Sequence, residues 1–159
     1  MRNITKFSAI LSALVFALSC SGGSSEPNCE GSGITMKING ETQTFDCNGY
    51  GIDWNGHGHT LTLWFTRYTA PNSYQNIYIE MPYRKTGANK IEKLQYGQSG
   101  DIEYFEGNFL SGQFESKITS NRTTCVSGTF SGRLSDGSQE IVITEGVLGN
   151  QYDEPLPPH

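Results

Sequence analysis

The segment LTLWFTRYTAPNSYQNIYIEM, residues 61 to 81, decides the fold because apolar and polar residues alternate on both sides of a turn. Alternation with a period of two predicts β-strands that each have one buried and one exposed face. A five-residue loop from Thr69 to Ser73 sets the two strands in an antiparallel register. The predicted core face of this hairpin pairs Leu61 with Met81, Leu63 with Ile79 and Phe65 with Ile77.

The same register places four aromatic side chains on the opposite, polar face of the hairpin, with Trp64 beside Tyr78 and Tyr68 beside Tyr74. Flat rings bordered by hydrogen-bonding groups are typical of surfaces that hold a sugar or another flat ligand. Cross-strand aromatic pairs also stabilise a sheet without any ligand, so both interpretations apply. The candidate binding residues are Trp64, Tyr68, Tyr74, Asn76, Tyr78 and Glu80.

Two further hairpins are predicted by their turn sequences, Asn39-Gly40 and Asp136-Gly137, which are typical of two-residue type I′ turns. The first turn predicts Ile38 opposite Glu41 and Ile34 opposite Phe45. The second predicts three pairs, Phe130 with Ile143, Thr129 with Thr144 and Arg133 with Glu140. A three-residue loop from Asn121 to Thr123 adds a strand upstream, with Phe114 opposite Phe130 and Ile118 opposite Val126.

The whole pattern predicts an all-β domain over residues 33–148. We expect about nine strands, at residues 33–39, 41–47, 59–68, 74–82, 91–96, 101–106, 112–119, 124–134 and 139–148. Short connections indicate a single antiparallel meander, which either closes into a barrel or divides into a sandwich. In a barrel with a wide lumen the aromatic face would line a cavity, whereas in a sandwich it would lie outside. Residues 149–159 contain several prolines and are predicted to form a disordered tail.

Residues 1–19 have the organisation of a targeting signal. Arg2 and Lys6 accompany an apolar stretch that is shorter than the roughly twenty residues of a membrane-spanning helix. The sequence Ala17-Leu18-Ser19-Cys20 resembles a bacterial lipoprotein box, in which the signal is cut before the cysteine and the cysteine is acylated. The resemblance implies a lipid anchor at Cys20, a flexible tether over residues 20–32 and a place in the cell envelope, with Ser21 favouring the outer membrane. A secreted protein and an uncleaved anchor are the alternatives.

If Cys20 carries lipid, three cysteines remain in an oxidising compartment, so one pair and one unpaired thiol are expected. Cys29 and Cys47 flank the first predicted hairpin, and Cys47 shares the parity of core-side Phe45. These features favour a disulfide between Cys29 and Cys47 with Cys125 free, and a bond between Cys47 and Cys125 is the alternative.

Charge and motifs argue against several classes of function. The net charge of −5 and the absence of any Lys/Arg cluster argue against nucleic acid as a partner. Asp53, His57 and His59 have the residue types of a zinc or copper site, but Gly56 and Gly58 favour an exposed loop, so no metal is favoured. There is no nucleophile elbow, phosphate loop or HExxH motif, so we predict no catalytic residue, no cofactor and no enzymatic activity.

The segment VSGTFSGRLSDGSQEIVITEGVL, residues 126 to 148, carries a resemblance to a family. Its GTFS and ITEG sequences resemble the closing hairpin of small, uncharacterised Bacteroidota lipoproteins, and ITMKINGE, residues 34 to 41, resembles the opening strand and turn of that group. What the resemblance implies is an all-β envelope domain without assigned catalytic residues.

The sequence is compatible with three functions. The aromatic face favours a binding module for a glycan or small apolar ligand. The second interpretation is an accessory lipoprotein that binds an envelope protein through the same face. The third is a metalloprotein or enzyme built on the histidine cluster. We expect the protein to be a monomer that meets the membrane through its lipid anchor.

Overall fold

The computed structural model describes residue 29, residues 31–99, residues 105–154 and residue 156. The predicted signal, the lipidated Cys20 and most of the predicted tether lie outside these described residues. Cys29 is buried and β1 begins at Ser32, so the final part of the predicted tether belongs to the folded domain.

The domain is all-β, as the alternation predicted. The strands are β1 Ser32–Ile38, β2 Glu41–Trp54, β3 His59–Ala70, β4 Ser73–Pro82, β5 Gly87–Ala88, β6 Lys93–Ser99, β7 Phe105–Asn121, β8 Cys125–Ser135 and β9 Glu140–Gln151. Within the described ranges, no helix is long and apolar enough to cross a membrane. The strand predicted at residues 101–106 falls largely outside the described residues, and Ile91, predicted to begin a strand, precedes β6.

The nine strands form one antiparallel sheet that closes into an eight-stranded barrel. The strands follow one another around the sheet in the order β7-β6-β4-β3-β2-β1-β9-β8. Closure follows from the pairing of β8 with β7, which joins the two ends of this order. The two-residue β5 pairs with Lys117 and Ile118 of β7, on the edge opposite β8 and away from the part of β7 that pairs with β6. Of the two architectures that the meander allowed, the chain therefore adopts the barrel.

Apolar side chains fill the inside of the barrel. The register of β3 and β4 is the predicted one, and its inward residues Leu63, Phe65 and Ile79 are 0% exposed. The first hairpin also has its predicted register, with Ile34 opposite Phe45. Since the interior is occupied by these side chains, the aromatic face lies on the outside of the barrel and does not line a lumen.

Next to the turn, the predicted register of β8 and β9 is wrong by two residues. Ser135, not Arg133, lies opposite Glu140, because the carboxylate of Asp136 accepts hydrogen bonds from the backbone N–H groups of Ser138 and Gln139 and builds a longer turn. Arg133 still reaches Glu140 diagonally, with 3.1 Å between its Nη1 and the carboxylate Oε2. Next to the turn, a shift of two residues keeps the parity of both strands, so their inward and outward faces stay as predicted there.

Pairs around Phe130 differ from the prediction for a steric reason. Phe130 lies opposite Gly146 rather than Ile143, beyond a bulge in β9 where Glu145 has a φ of 53°. A Cβ on Gly146 would approach the Phe130 ring to 2.7 Å, so this position admits only glycine. The β7–β8 pairs differ from the prediction by two residues, with Phe114 opposite Gly132 and Ile118 opposite Gly128.

The predicted disordered tail is wrong for its first residues. Strand β9 continues to Gln151, and both Tyr152 and Leu156 are buried. The backbone N–H groups of Tyr152 and Leu156 donate to the carbonyl oxygens of Thr124 and Thr123, and the Tyr152 ring contacts Tyr50 with 4.7 Å between centroids. Two apolar anchors and these hydrogen bonds hold the segment against one end of the barrel.

The predicted disulfide between Cys29 and Cys47 is also wrong, because Cys29 is bonded to Cys125. The end of β9 lies between β1 and β8, with Asn150 opposite Ser32 and Gln151 opposite Cys125. The start of β8 is therefore close to the residue that precedes β1. Among the described cysteines, Cys47 is the free one. It lies half-buried in β2, and burial raises the pKa of its thiol.

Candidate ligand-binding face

Four outward-pointing aromatic residues of β3 and β4 form the surface that we call the aromatic face: Trp64, Tyr68, Tyr74 and Tyr78. The observed register confirms both predicted pairs, Trp64 with Tyr78 and Tyr68 with Tyr74. Trp64 is 42% exposed, Tyr74 is 39% exposed and Tyr68 is 79% exposed. Large aromatic groups thus remain in contact with solvent next to a completely filled core.

The indole of Trp64 is held from two sides. A Cβ on Gly49 of β2 would lie 3.4 Å from Cε3 of the indole, and one on Gly51 would lie 3.9 Å from Cζ3, so the ring lies over a strip of β2 without side chains. On its other side Trp64 meets Tyr78, with ring centroids 5.6 Å apart and planes inclined at 57°. The indole is therefore positioned before any ligand arrives.

Tyr78 belongs to a small charged cluster at one edge of the aromatic face. Its hydroxyl donates a hydrogen bond to Oε1 of Glu80, while Nζ of Lys93 lies 4.9 Å from its ring centroid and 3.6 Å from that same oxygen. Burial, followed by the hydrogen bond and the negative charge of Glu80, raises the pKa of Tyr78 to about 12. The phenol is consequently a neutral hydrogen-bonding group at physiological pH.

A row of hydrogen-bonded polar side chains runs across the strands beside Trp64. Nδ2 of Asn48 donates to Oγ1 of Thr66 over 2.6 Å, and the Thr66 hydroxyl donates to Oδ1 of Asn76 over 2.9 Å. On β6, Nε2 of Gln95 donates to Oδ1 of Asn108 over 2.7 Å. These bonds fix the orientations of several amide groups at the surface.

Two grooves lie side by side on this surface. The larger, of about 510 Å³, is bordered by Trp64, Thr66 and Asn48 and has Gly49 on its floor. The smaller, of about 220 Å³, extends from Tyr74 over Gly97 to Glu106 on β7. They share three lining residues, Asn76, Tyr78 and Gln95. Together they follow the outer surface from β2 to β7.

The predicted binding residues do not all line these grooves. Trp64, Tyr74, Asn76 and Tyr78 do, whereas Glu80 lies behind Tyr78 as its hydrogen-bond acceptor and Tyr68 lies beyond them at the end of β3. The sequence prediction missed Asn48, Gly49, Gln95, Gly97 and Glu106, which come from other strands. Gly49 and Gly51, which are separated by one residue, could have indicated the position of the indole. Two glycines on one face of a strand leave room there for a ring.

Asp53, His57 and His59, which were considered as metal ligands, do not form a metal site. Oδ1 of Asn55 accepts hydrogen bonds from the backbone N–H groups of His57 and Gly58, which forms a tight turn with His57 exposed. The His59 ring contacts Trp54 with centroids 4.9 Å apart. In the described part of the chain, no group of three or more His, Cys, Asp or Glu side chains is arranged to hold a metal.

Another groove, of about 580 Å³, lies outside β7, β8 and β9. Its outward lining includes Glu115, Lys117, Thr129 and Val147, and its aromatic residue, Phe130, is buried. This groove is larger than either groove of the aromatic face, but no exposed aromatic ring is among its described lining residues. We therefore take the aromatic face and its two grooves as the candidate site.

The fold and this surface define the molecule as a closed antiparallel β-barrel domain with a polar and aromatic external groove system. Comparisons with protein-family models, curated proteins and solved structures found no match.

Proposed function

We propose that the protein is a non-enzymatic binding module of the cell envelope, which holds a glycan or small flat ligand on its aromatic face. The observation that carries this proposal is the position of Trp64, which is two-fifths exposed, lies over two glycines of β2 and borders the larger groove. Sheet stabilisation alone does not require the ring to remain exposed. A tryptophan held in place loses little conformational entropy when a ligand stacks on it.

The chemistry of the groove lining supports binding rather than catalysis. The described residues that line the two grooves carry amides, hydroxyls and aromatic rings or are glycines, apart from the buried Ile77 and the carboxylate of Glu106. Tyr78, with its raised pKa, donates hydrogen bonds but is a poor base near neutral pH. Amides and hydroxyls can recognise the hydroxyl groups of a sugar while an aromatic ring contacts its apolar face.

The proposal includes lipid anchoring at Cys20, with the barrel held at the outer membrane. The signal-like residues 1–19 and the lipobox-like sequence that ends at Cys20 support this location. The bond between Cys29 and Cys125 also favours an oxidising compartment outside the cytoplasm. A Cys20→Ser variant should lose metabolic labelling with palmitate and be released from the membrane fraction. A Cys47→Ser variant should keep the label and remain in the membrane fraction.

Binding to an array of neutral and acidic glycans tests the proposed function. We expect Trp64→Ala to weaken binding by about tenfold or more, because a single buried aromatic anchor commonly contributes this much. The matched control is Trp54→Ala, which removes the other tryptophan of the chain, 65% exposed and outside both grooves. Equal binding by the wild type and the Trp64→Ala variant would contradict the proposal.

A protein partner in the envelope is the second candidate function, and Tyr68 favours it. This residue is the most exposed aromatic side chain of the face and lies outside both grooves, where a small ligand would leave it uncovered. Tyrosine is enriched at the centres of protein interfaces. If a protein is the ligand, chemical crosslinking in cells should be reduced by Tyr68→Ala as strongly as by Trp64→Ala.

A further inference from the structure

We infer that the ligand of the aromatic face is an uncharged oligosaccharide chain that lies across the strands from β2 to β7. This inference rests on the proposed function and adds the length, direction and charge of the ligand. It excludes a single sugar as the complete ligand, and it excludes an acidic glycan.

The direction of the chain follows from the arrangement of the two grooves. The larger groove lies over β2 and β3, the smaller over β6 and β7, and they meet at Asn76 and Tyr78 of β4. Neighbouring strands are about 4.8 Å apart, so the four spacings from β2 to β7 extend over roughly 19 Å. This length is suited to several linked rings and exceeds a single one.

The size of each groove leads to the same conclusion. The smaller groove, at about 220 Å³, is below the range of about 300–1,000 Å³ that is typical of sites for drug-sized ligands. The larger one, at about 510 Å³, falls within that range. A ligand that used only the larger groove would leave Tyr74 and Gly97 without a function in binding.

Aromatic rings occur at three successive points along this path. Trp64 borders the larger groove, Tyr78 lies where the grooves meet, and Tyr74 borders the smaller one. Between them lie the amides of Asn76 and Gln95, which can reach hydroxyl groups on either side. This alternation of rings and amides corresponds to the alternation of apolar ring faces and hydroxyl edges in an oligosaccharide.

The charge of the lining favours a neutral chain. No lysine or arginine lines either groove in the described part of the chain, and Glu106 stands at the β7 end. Lys93 is the nearby cation, and it is already engaged by Glu80 and the Tyr78 ring. With a net charge of −5, the protein repels carboxylate- or sulfate-bearing glycans.

The test measures the affinity of the full chain for β-linked neutral oligomers of glucose, xylose and N-acetylglucosamine, from monomer to hexamer, with oligogalacturonate as the acidic series. For the series that binds, we expect affinity to rise by at least tenfold from dimer to hexamer. Trp64→Ala should weaken every length. Tyr74→Ala should weaken the hexamer about tenfold and leave the dimer unchanged, because only long chains reach the second groove.

The outcomes separate this inference from the proposed function. Affinity that is independent of length, a Tyr74→Ala variant that binds the hexamer as the wild type does, or preferred binding of oligogalacturonate would overturn the inference while the binding module stands. No binding to any oligomer would overturn both. Circular dichroism of each variant confirms that a loss of affinity is not a loss of fold.

Discussion

The two faces of the hairpin formed by β3 and β4 share one backbone but differ in their surroundings. Leu63 and Phe65 point inward and have no contact with solvent, while their neighbour Trp64 points outward and keeps much of its ring exposed. The difference teaches that stability and binding are carried by alternate residues of the same strand. Substitutions on the inner face should therefore change the free energy of unfolding, and those on the outer face should change affinity.

The largest effect is expected on the inner face. Phe65→Ala should lower the free energy of unfolding by about 3–5 kcal/mol, because it removes a fully buried ring and leaves a cavity. Urea denaturation measures the change. The control is Tyr68→Ala in the same strand, which should stay within about 0.5 kcal/mol of the wild type. Similar losses for both variants would show that the assignment of the faces is wrong.

A change outside both faces should lower stability without altering affinity. Replacing Cys29 and Cys125 together by serine removes a crosslink between residues 96 positions apart and should lower the free energy of unfolding by about 2–4 kcal/mol. Glycan affinity should be unchanged at temperatures where the variant is folded. Cys47→Ser is the control, and a loss of the same size for Cys47→Ser would contradict the observed pairing.

On the outer face, Trp64→Ala should reduce stability by at most about 1 kcal/mol, the range of a cross-strand pair. A double-mutant cycle with Tyr78→Ala should give a coupling of about 0.5–1 kcal/mol for the two rings. The Trp64→Ala variant should also show the loss of glycan affinity described above. A stability loss of several kcal/mol would mean that the aromatic face belongs to the core.

The smallest effect concerns the ionisation of Tyr78. Its pKa of about 12 lies above the ordinary 10.0, so the folded state holds this proton more tightly than the unfolded chain does. The stability that this provides is complete below pH 10.0 and is lost as the pH rises towards about 12.

Ultraviolet difference spectroscopy can isolate this titration. Glu80→Gln should lower the pKa of Tyr78, because it removes a negative charge and weakens the acceptor, although burial remains as the larger cause. Other tyrosines with raised pKa, such as Tyr96, cancel in the difference between wild type and variant. Superimposable titration curves would show that Glu80 has no influence on Tyr78.

The sequence predicted the fold best where apolar and polar residues alternate regularly over a long segment. Alternation determined the register of β3 and β4 from the pair Leu61–Met81 to the pair Tyr68–Tyr74. The predicted five-residue loop is wrong, because Ala70 pairs with Ser73 beyond a bulge.

Alternation could not determine the register of β8 and β9 next to their turn, because a shift of two residues there keeps every side chain on its face. Nor did alternation show the bulge at Glu145, beyond which Phe130 lies opposite Gly146 instead of Ile143. The shift next to the turn depends on the hydrogen bonds of the Asp136 carboxylate within the turn. Alternation is insensitive to such local chemistry.

The candidate site was predictable only in part, for a geometric reason. Trp64, Tyr74, Asn76 and Tyr78 belong to one hairpin, so a local pattern shows them together. Gly49, Gln95 and Glu106 belong to other strands, and their places along the grooves follow from the registers across the sheet. The disulfide depends in the same way on closure of the barrel, which brings β8, β9 and β1 side by side.

The bond between Cys29 and Cys125 determines how the barrel responds to mechanical load. A force applied to the chain upstream of Cys29, as a membrane anchor would apply it, passes through the disulfide into the start of β8. Strand β1 begins three residues after Cys29, and it would otherwise be the first strand to be peeled from its neighbours. With the bond intact, tension therefore acts on Cys125 at the start of β8 instead of on β1. The hydrogen bonds of β8 to β7 and β9 then resist the force.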